Sequence, residues 1–386
     1  MKDNRNITPK LHEMETSVFA VMSQMAAEYN AINLSQGFPD FPISEELIDI
    51  VHYYMKKGYN QYAPMKGLDE LRRVIHRLYV QNHDAEYHPD SEITITAGAT
   101  QALYTAISSF IRKGDEVIIF EPAYDAYAPA VTMNGGIVKY CRMVAPDFHV
   151  DWEEVAQAIT PATRMIIINT PHNPTGAVFS KSDMVALQRL LQKRKDIIVL
   201  SDEVYEHLVF DGKEHESVAR FSGLADRAFV IGSFGKTLHA TGWKTGYAAA
   251  PEYLMREFRK MHQYVVFAVN TPIQMAIADY LNKHPDLSGL SVFYQEKRDY
   301  FVRSVQNSRF EMLPSSGTYF QLLDYSGISQ KDDQAFVKEL ITEHGVAAIP
   351  LSPFYENPVN NQTILRFCFA KKKETIDQAV EILCRI

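Results

Sequence analysis

Residues 197–205, IIVLSDEVY, run from an apolar segment directly into a serine, two carboxylates and a tyrosine. Comparable runs recur along the chain: EITITAG at 92–98, EVIIFEP at 116–122, TRMIIINTP at 163–171, AFVIGSFG at 228–235 and GWKTGYAAA at 242–250. Amphipathic segments of helical periodicity separate most of them. Near-continuous Ile and Val runs that alternate with helices are typical of a mostly parallel sheet buried between two helical layers. The sequence therefore predicts an α/β fold with ligands bound at the carboxyl ends of the strands.

The pattern of predicted helices and strands changes after about residue 285. A long charged helix is followed there by short apolar strands and two further helices, which predicts an α+β unit with its own small sheet. The segment 1–45 is too short to fold alone, so we expect it to pack against this C-terminal unit. We predict a large domain over 46–285 and a small, discontinuous domain formed by 1–45 and 286–386.

Length and composition exclude several classes of protein. The chain has 386 residues, of which 46% are hydrophobic and 22% charged, unlike disordered, collagenous or coiled-coil chains. Its 39 Lys and Arg against 47 Asp and Glu give a net charge of −8, which disfavours a nucleic-acid partner. Cys141, Cys368 and Cys384 have no CxxC spacing and no paired histidines nearby. They predict a reducing compartment and no metal site.

No segment predicts a membrane partner or export. The N-terminus, MKDNRNITPK, lacks the apolar core of a signal peptide. The uncharged stretch from Ile93 to Ile111 is long enough to cross a bilayer, but its Gly98, Gln101, four threonines and two serines favour a strand that leads into a helix. We expect a soluble, cytoplasmic protein.

Lys236 follows an apolar strand and is flanked by small polar residues. A lysine in a surface loop is the default interpretation. A phosphate-binding loop is a second, because GKT at 235–237 matches the end of GxxxxGK[ST], but Val230 stands where that motif needs glycine. The third is an imine-forming amine, whose nucleophilicity rises when burial or a nearby cation such as Lys244 lowers its pKa. Ser233 is close enough in sequence to join a phosphate site.

Two other strand ends carry polar residues that suit a ligand. Asp202 alone would be read as a helix cap or a metal ligand, but no second ligand converges on it and Glu203 points to the opposite face of the strand. Together, Asp202 and Tyr205 suit an aromatic nitrogen that must stay protonated and a phenolic oxygen that needs a hydrogen bond. Asn173 lies between two prolines, which form a rigid turn or a stiff frame for its amide.

Several of these motifs together resemble a known family. SDEVYEH at 201–207, NTPHNPTG at 169–176 and SFGKTLHATGWKTGY at 233–247 are similar to the pyridoxal-phosphate aminotransferases of fold type I, class I/II. The residues of these motifs are most similar to those of the subgroup of methionine aminotransferases and kynurenine/glutamine transaminases. The similarity extends from NLSQGFPDF at 33–41 to LRFCFA at 365–370. The resemblance implies a large domain with a mostly parallel seven-stranded sheet sandwiched by helices, and a smaller α+β domain.

The resemblance also implies how the cofactor, pyridoxal 5′-phosphate, is held. Lys236 would bind it covalently and, once released, carry the proton between the substrate Cα and the cofactor C4′. Asp202 would pair with the pyridinium nitrogen, and Asn173 and Tyr205 would hydrogen-bond O3′. Tyr124 would stack on the ring face.

The phosphate site has a physical argument of its own. Ala99 and Thr100 end a strand and open a helix, so their backbone N–H groups offer an anion site. Ser233 and Lys244 would complete it; many relatives carry arginine in place of Lys244, which keeps the charge but has a planar fork. Tyr62 resembles the tyrosine that reaches across a homodimer interface to the neighbouring phosphate. Its alternative interpretation is an ordinary buried tyrosine.

The substrate carboxylate needs a bidentate partner. Arg366 lies inside an apolar strand, where a guanidinium is costly unless it faces an anion, whether a substrate or a structural ion-pair partner. The resemblance favours a substrate carboxylate as the anion that Arg366 faces. Gly37 fits a position where the backbone approaches the same carboxylate closely, and Asn173 would contribute there too.

Three functions are compatible with these residues. The leading one is reversible transfer of an α-amino group from an L-amino acid to a 2-oxo acid by a ping-pong mechanism. A second is β-elimination at a C–S bond, as in cysteine-conjugate β-lyases, which begins with the same proton removal by Lys236. A third, a regulatory binding module, is disfavoured because no DNA-binding helical domain precedes the fold.

The choice of amino donor depends on residue types near the site. The pocket candidates are rich in aromatic side chains, and no second arginine is placed for an acidic side chain; these candidates are Phe19, Phe38, Tyr104, Tyr124, Phe267 and Phe354. We expect methionine first, then aromatic amino acids and kynurenine or glutamine.

Overall fold

The computed structural model describes residues 10–11, 16–358 and 362–386. Residues 1–9, which form most of the polar N-terminus used to assess export, lie outside the described part. The strands are β1 (Ile32–Asn33), β2 (Ile93–Thr96), β3 (Glu116–Glu121), β4 (Ile137–Val144), β5 (His149–Val150), β6 (Thr163–Asn169), β7 (Ile198–Asp202), β8 (Ala228–Ser233), β9 (Gly246–Ala249), β10 (Glu311–Met312), β11 (Phe320–Asp324), β12 (Val346–Ala347), β13 (Ile349–Pro350) and β14 (Ile364–Cys368).

Helices connect most of these strands. They are α1 (Val18–Glu28), α2 (Glu45–Lys56), α3 (Asp69–His83), α4 (Ala99–Phe110), α5 (Tyr127–Met133), α6 (Trp152–Ala158), α7 (Lys181–Leu191), α8 (Ser222–Ala225), α9 (Phe234–Thr237), α10 (Glu252–Val265), α11 (Thr271–Lys283), α12 (Gly289–Val305), α13 (Asp333–Thr342) and α14 (Lys373–Leu383). No helix in the described part combines the length and apolar content needed to cross a membrane.

The central sheet has the strand order β2-β9-β8-β7-β6-β3-β4-β5. Strands β4, β3, β6, β7 and β8 pair in parallel, whereas β9 is antiparallel to both of its neighbours. Asn169 is in register with Asp202, and Asp202 with Ile231. The polar ends of β6 and β7 therefore lie side by side at one edge of the sheet, as the sequence predicts.

Both faces of this sheet are apolar because successive residues of a strand point to opposite sides. Val117 and Ile119 of β3 pack in one core cluster with residues of α4 and α10. Ile118 and Phe120 pack in a second cluster, which also contains residues of α7 and of the C-terminal unit. This double coverage explains the unbroken Ile and Val runs.

The sheet has eight strands rather than the predicted seven. The eighth is β5, a two-residue strand that pairs antiparallel with the end of β4. The apolar runs that predict the other strands do not include β4, IVKYCRMV. Lys139 and Arg142 interrupt its apolar pattern on a partly exposed face. Both β4 and β5 lie at or next to the edge of the sheet, where a strand tolerates charged side chains, so neither shows an unbroken apolar run.

A four-stranded antiparallel sheet, in the order β10-β11-β14-β13, lies in the C-terminal unit. Its inner strand β14 carries Arg366, which is in register with Leu322. The short strands β1 and β12 pair in parallel through Ile32 and Val346. The N-terminal segment thus contacts the C-terminal unit, although the division into domains at residues 45 and 285 stays a prediction.

Candidate active site

A cavity of about 310 Å³ opens where the carboxyl ends of β6, β7 and β8 meet the start of α4 and the inner strand of the small sheet. The predicted site residues that line it are Gly37, Ala99, Thr100, Tyr124, Asn173, Asp202, Tyr205, Ser233, Lys236, Lys244 and Arg366. Tyr62 is absent from this lining and is 84% exposed elsewhere on the surface, so it is not an ordinary buried tyrosine.

Lys236 lies in α9, a single turn that follows β8 directly. Its Nζ atom is 2.7 Å from the hydroxyl oxygen of Tyr319 and 3.3 Å from the carbonyl oxygen of Gly37. Burial, followed by the nearby cations Arg366 and Lys244, lowers the pKa of Lys236 to about 8. About a tenth of the amine is then neutral and nucleophilic at pH 7.

Asp202 ends β7 and is buried at the floor of the cavity. Burial raises the pKa of this carboxyl group to about 6, while a 2.6 Å hydrogen bond from the Tyr127 hydroxyl to Oδ2 acts in the opposite direction. The side-chain amide of Asn169 donates to the Asp202 backbone carbonyl at 2.9 Å. Among the described residues, Oδ1 has a single long contact, with the backbone N–H of Val204 at 3.4 Å, so it can accept a hydrogen bond from a ligand.

Arg366 is a buried cation, 1% exposed, and its hydrogen-bond partners among the described residues are a neutral amide and a backbone carbonyl rather than a carboxylate. Its Nη1 donates to Asn173 Oδ1 at 2.7 Å and its Nη2 to the carbonyl oxygen of Ser35 at 3.1 Å, while Nε has no partner among the described residues. The guanidinium lies 3.8 Å from the ring centroid of Phe320 and 5.0 Å from that of Phe19. Although burial lowers the pKa of Arg366 to about 10, the group stays charged at neutral pH. Within the described ranges Arg366 does not form the structural ion pair that the sequence left open, and the site suits a carboxylate ligand.

The start of α4 forms a cradle for an anion. Gly98 precedes the helix with φ +78°, and no side chain caps the first turn. A Cβ atom at Gly98 would meet the Cε and Nζ atoms of Lys244 at 3.4 and 3.5 Å, and one at Gly246 would meet the backbone nitrogen of Ala99 at 3.0 Å. The positive φ at Gly98 and the close approach at Gly246 both favour glycine, and Ala99, Thr100 and Lys244 line the same cavity. Backbone donors and a cation in one pocket suit a phosphate.

The tyrosines of the site form an aromatic wall. The Tyr205 ring is perpendicular to that of Tyr319, with centroids 5.2 Å apart, and Tyr124 makes a similar contact with Tyr127 at 5.5 Å. Burial raises the pKa of both Tyr124 and Tyr205, so their hydroxyl groups keep their protons. They can donate hydrogen bonds and pack against a flat ring.

Four of the aromatic pocket candidates do not line this cavity. Phe38 and Phe267 are 42% and 49% exposed, Tyr104 lies on α4 and packs half-buried against a core cluster, and the Phe354 ring centroid lies 5.6 Å from the Arg366 guanidinium. Phe38 lies outside the cavity although its neighbours Gln36 and Gly37 line it, because the chain bends over residues 35–38. Phe19 and Tyr124 do line the cavity.

The sequence patterns missed several residues of the site: Tyr127, Asn169, Tyr319 and Phe320. Asn169 ends β6 in register with Asp202, so the strand-end rule applied to Asp202 could have found it. The tyrosines and Phe320 lie in segments without such a pattern.

The donor set fits pyridoxal 5′-phosphate. An anion cradle, a buried carboxylate, an amine and an aromatic wall surround a single cavity, and each matches one part of the cofactor: its phosphate, its ring nitrogen, its aldehyde and its ring face. Arg366 Nε is buried and has no partner in the part of the chain that the structure describes, so it is a further donor for a carboxylate.

Comparisons with known proteins agree with this chemistry. The family model described as aminotransferase class I and II matches residues 29–383. Methionine aminotransferase from Escherichia coli (strain K12) is 48% identical over 379 residues, which cover 97% of each chain. Kynurenine–oxoglutarate transaminase from Dictyostelium discoideum is 34% identical over 409 residues, covering 96% of this chain and 94% of its own. A solved structure from Escherichia coli, reported with a methionine aminotransferase function, is similar with a TM-score of 0.96 and 46% identity, covering 98% of this chain and 99% of its own.

Proposed function

The chain belongs to the class I and II aminotransferases, which depend on pyridoxal 5′-phosphate, and from that premise we propose that methionine is its preferred amino donor. The enzyme transfers the α-amino group of an L-amino acid to a 2-oxo acid. The similarity to methionine aminotransferase supports methionine as the donor.

The residues that line the cavity support a preference for methionine. Arg366 is the one arginine among the described residues that line it, and Phe19, Leu103 and Phe320 supply apolar surface. The side-chain carboxylate of aspartate or glutamate would need a second cation besides the one that binds the α-carboxylate. An apolar thioether or an aromatic side chain needs none, and thioethers make favourable contacts with aromatic rings.

The residues that would hold the cofactor follow from the donor set. Asp202 would pair with the ring nitrogen, Asn173 and Tyr205 would hydrogen-bond the phenolic oxygen, and Tyr124 would cover the ring. The phosphate would bind Ser233, Lys244 and the backbone N–H groups of Ala99 and Thr100. When bound, the cofactor supplies an electron sink that acidifies the Cα–H bond of the amino acid.

The chain's own groups bind the substrate and remove this proton. Arg366, with Asn173 and the backbone of Gly37, would bind the α-carboxylate. The neutral amine of Lys236 would then accept the proton from Cα, since its pKa of about 8 makes it a base that can act near neutral pH.

We propose a homodimer with shared active sites in the cytoplasm. Tyr62 supports the dimer, because its exposed ring forms an edge-to-face pair with exposed Phe267, centroids 5.5 Å apart, and a second chain could cover both. The cysteines support the cytoplasm, since all three are free thiols.

A donor screen against one 2-oxo acid tests the function. Pure protein should show a visible cofactor band that shifts when methionine is added, and methionine should give the highest kcat/KM. A highest value with kynurenine or glutamine would reject methionine as preferred donor and favour the kynurenine/glutamine subgroup. An S-substituted cysteine that yields pyruvate faster than methionine yields its 2-oxo acid would instead favour the β-lyase.

A further inference from the structure

Tyr319, which belongs to the C-terminal unit, contacts the side-chain amine of Lys236. Lys236 Nζ lies 2.7 Å from Tyr319 Oη and 3.3 Å from the carbonyl oxygen of Gly37, and Tyr319 Oη makes a short hydrogen bond with the same carbonyl. The three groups form a closed triangle. One comes from the N-terminal segment, one from α9 directly after β8, and one from the residue before β11.

The hydrogens in this triangle have one consistent assignment. A carbonyl oxygen only accepts, so the single hydroxyl hydrogen of Tyr319 goes to Gly37 and Oη accepts from Lys236. Burial raises the pKa of Tyr319 well above its usual value, so that hydrogen is present. Both N–H bonds of a neutral Lys236 amine are then used, and its lone pair takes the remaining direction on a side chain that lines the cavity.

The triangle is held rigidly. The Tyr319 ring is fully buried, 4.9 Å from Phe320 and 5.2 Å from Tyr205 between centroids, and its backbone carbonyl accepts the N–H of Phe369 at 3.0 Å. A Cβ atom at Gly37 would lie 2.8 Å from the ring of Phe320, so only glycine allows this approach.

We propose that Tyr319 is a positioning residue whose hydroxyl, with the Gly37 carbonyl, holds the free Lys236 amine with its lone pair open to the cavity. The inference rests on the proposed role of Lys236 as the point of cofactor attachment. Attachment forms a C=N bond between Nζ and the aldehyde carbon, and the aldehyde oxygen leaves with the two amine hydrogens as water. Such a step begins with the lone pair, so its orientation controls the rate.

The test measures the rate at which the full chain, stripped of cofactor, captures pyridoxal phosphate between pH 6 and 10. Tyr319→Phe removes only the hydroxyl group. Tyr294→Phe is the matched control, because Tyr294 is equally buried, lies 5.8 Å from Tyr319 between ring centroids, and bonds His239 instead of the lysine. Wild type should reach a plateau above a midpoint near the Lys236 pKa of about 8.

Tyr319→Phe should lower the plateau rate about tenfold, because the amine is no longer oriented. Its midpoint should move to lower pH, because the ammonium loses an acceptor. Tyr294→Phe should keep both values. A normal plateau in Tyr319→Phe, or an equal loss in Tyr294→Phe, overturns the proposal for Tyr319. Undiminished covalent capture by Lys236→Ala would instead overturn the role of Lys236.

A second measurement uses the unaltered sequence. With tyrosines labelled at the ring carbon that bears the hydroxyl, one nuclear magnetic resonance signal of the cofactor-free protein should titrate with Lys236, near pH 8. That titration should vanish in Lys236→Ala. If no tyrosine signal follows the lysine, Tyr319 does not accept a hydrogen bond from it.

Discussion

The hydroxyl group of Tyr127 donates a 2.6 Å hydrogen bond to Oδ2 of Asp202, and both side chains are buried. This bond opposes the effect of burial on the Asp202 pKa and so favours the ionised carboxylate. It also orients the carboxylate with Oδ1 free for the proposed contact with the cofactor ring nitrogen.

Tyr127→Phe should therefore weaken cofactor binding. A hydrogen bond to a charged group contributes about 1.5–3 kcal/mol, so the dissociation constant for pyridoxal phosphate should rise about 10- to 100-fold. Absorbance titration of the stripped protein measures it. Tyr253→Phe, which removes an exposed hydroxyl bonded to the Asp226 carbonyl at 3.0 Å, should bind normally. Equal affinities in the two variants would contradict the role of Tyr127.

Arg366→Gln should lose substrate affinity but keep the cofactor band. Without the guanidinium the substrate carboxylate has no cationic partner at that position, and kcat/KM for every amino donor should fall at least about 100-fold, or about 3 kcal/mol. The matched control is Arg298→Gln. Arg298 is also buried but already forms a two-pronged ion pair with Asp211, with both N···O distances at 2.6 Å.

The two arginine variants should therefore fail in different assays. Arg298→Gln should lower the thermal midpoint and leave kcat/KM near the wild-type value, because it breaks a structural ion pair. Arg366→Gln with normal kcat/KM for methionine would remove Arg366 from the substrate site.

Tyr62→Phe should weaken cofactor binding only in the assembled dimer. The Tyr62 side chain is exposed, so its hydroxyl has little effect on the stability of a single chain. We expect the cofactor dissociation constant to rise severalfold at protein concentrations that favour the dimer, and wild type to approach the variant on dilution. Tyr264→Phe, at an 85% exposed tyrosine, is the control. An unchanged constant in Tyr62→Phe at high concentration would exclude its proposed contact with the phosphate.

His172 should make the fold less stable as pH falls. Burial lowers the pKa of its imidazole to about 3, against about 6.5 in an unfolded chain. Between these values the unfolded chain binds a proton that the folded chain does not, so stability falls by about 1.4 kcal/mol per pH unit through this residue.

Urea unfolding at pH 8 and pH 5 can isolate this effect. Wild type should lose about 2 kcal/mol more than His172→Asn between the two pH values, because the variant has no group to titrate there. His52→Asn, at an exposed position on α2, should behave as wild type. The same pH dependence in all three proteins would show that His172 is accessible to protons in the folded state.

Much of the site could be predicted because its groups lie at the ends of apolar strands. Asp202, Asn173 and Lys236 each follow such a run, and parallel strands bring their carboxyl ends to one edge. Tyr127 and Tyr319 could not be found in this way. Tyr127 contacts Asp202 across 75 positions and Tyr319 contacts Lys236 across 83, and both contacts depend on how a helix or a second sheet packs. Strand β4 was missed for a different reason, since its exposed lysine and arginine hide the apolar pattern.

The contact between Arg366 and the carbonyl oxygen of Ser35 spans 331 positions of the chain. During synthesis, the ribosome must therefore release nearly the whole polypeptide before the proposed binding site for a substrate carboxylate can form. Contacts of such long sequence separation form late and slowly, because the closure of a long loop precedes any gain from them. A growing chain that has completed α9 carries Lys236 without Tyr319 or Arg366. Its capacity to discriminate among amino acids is thus acquired last, when the C-terminal sheet folds onto the N-terminal segment.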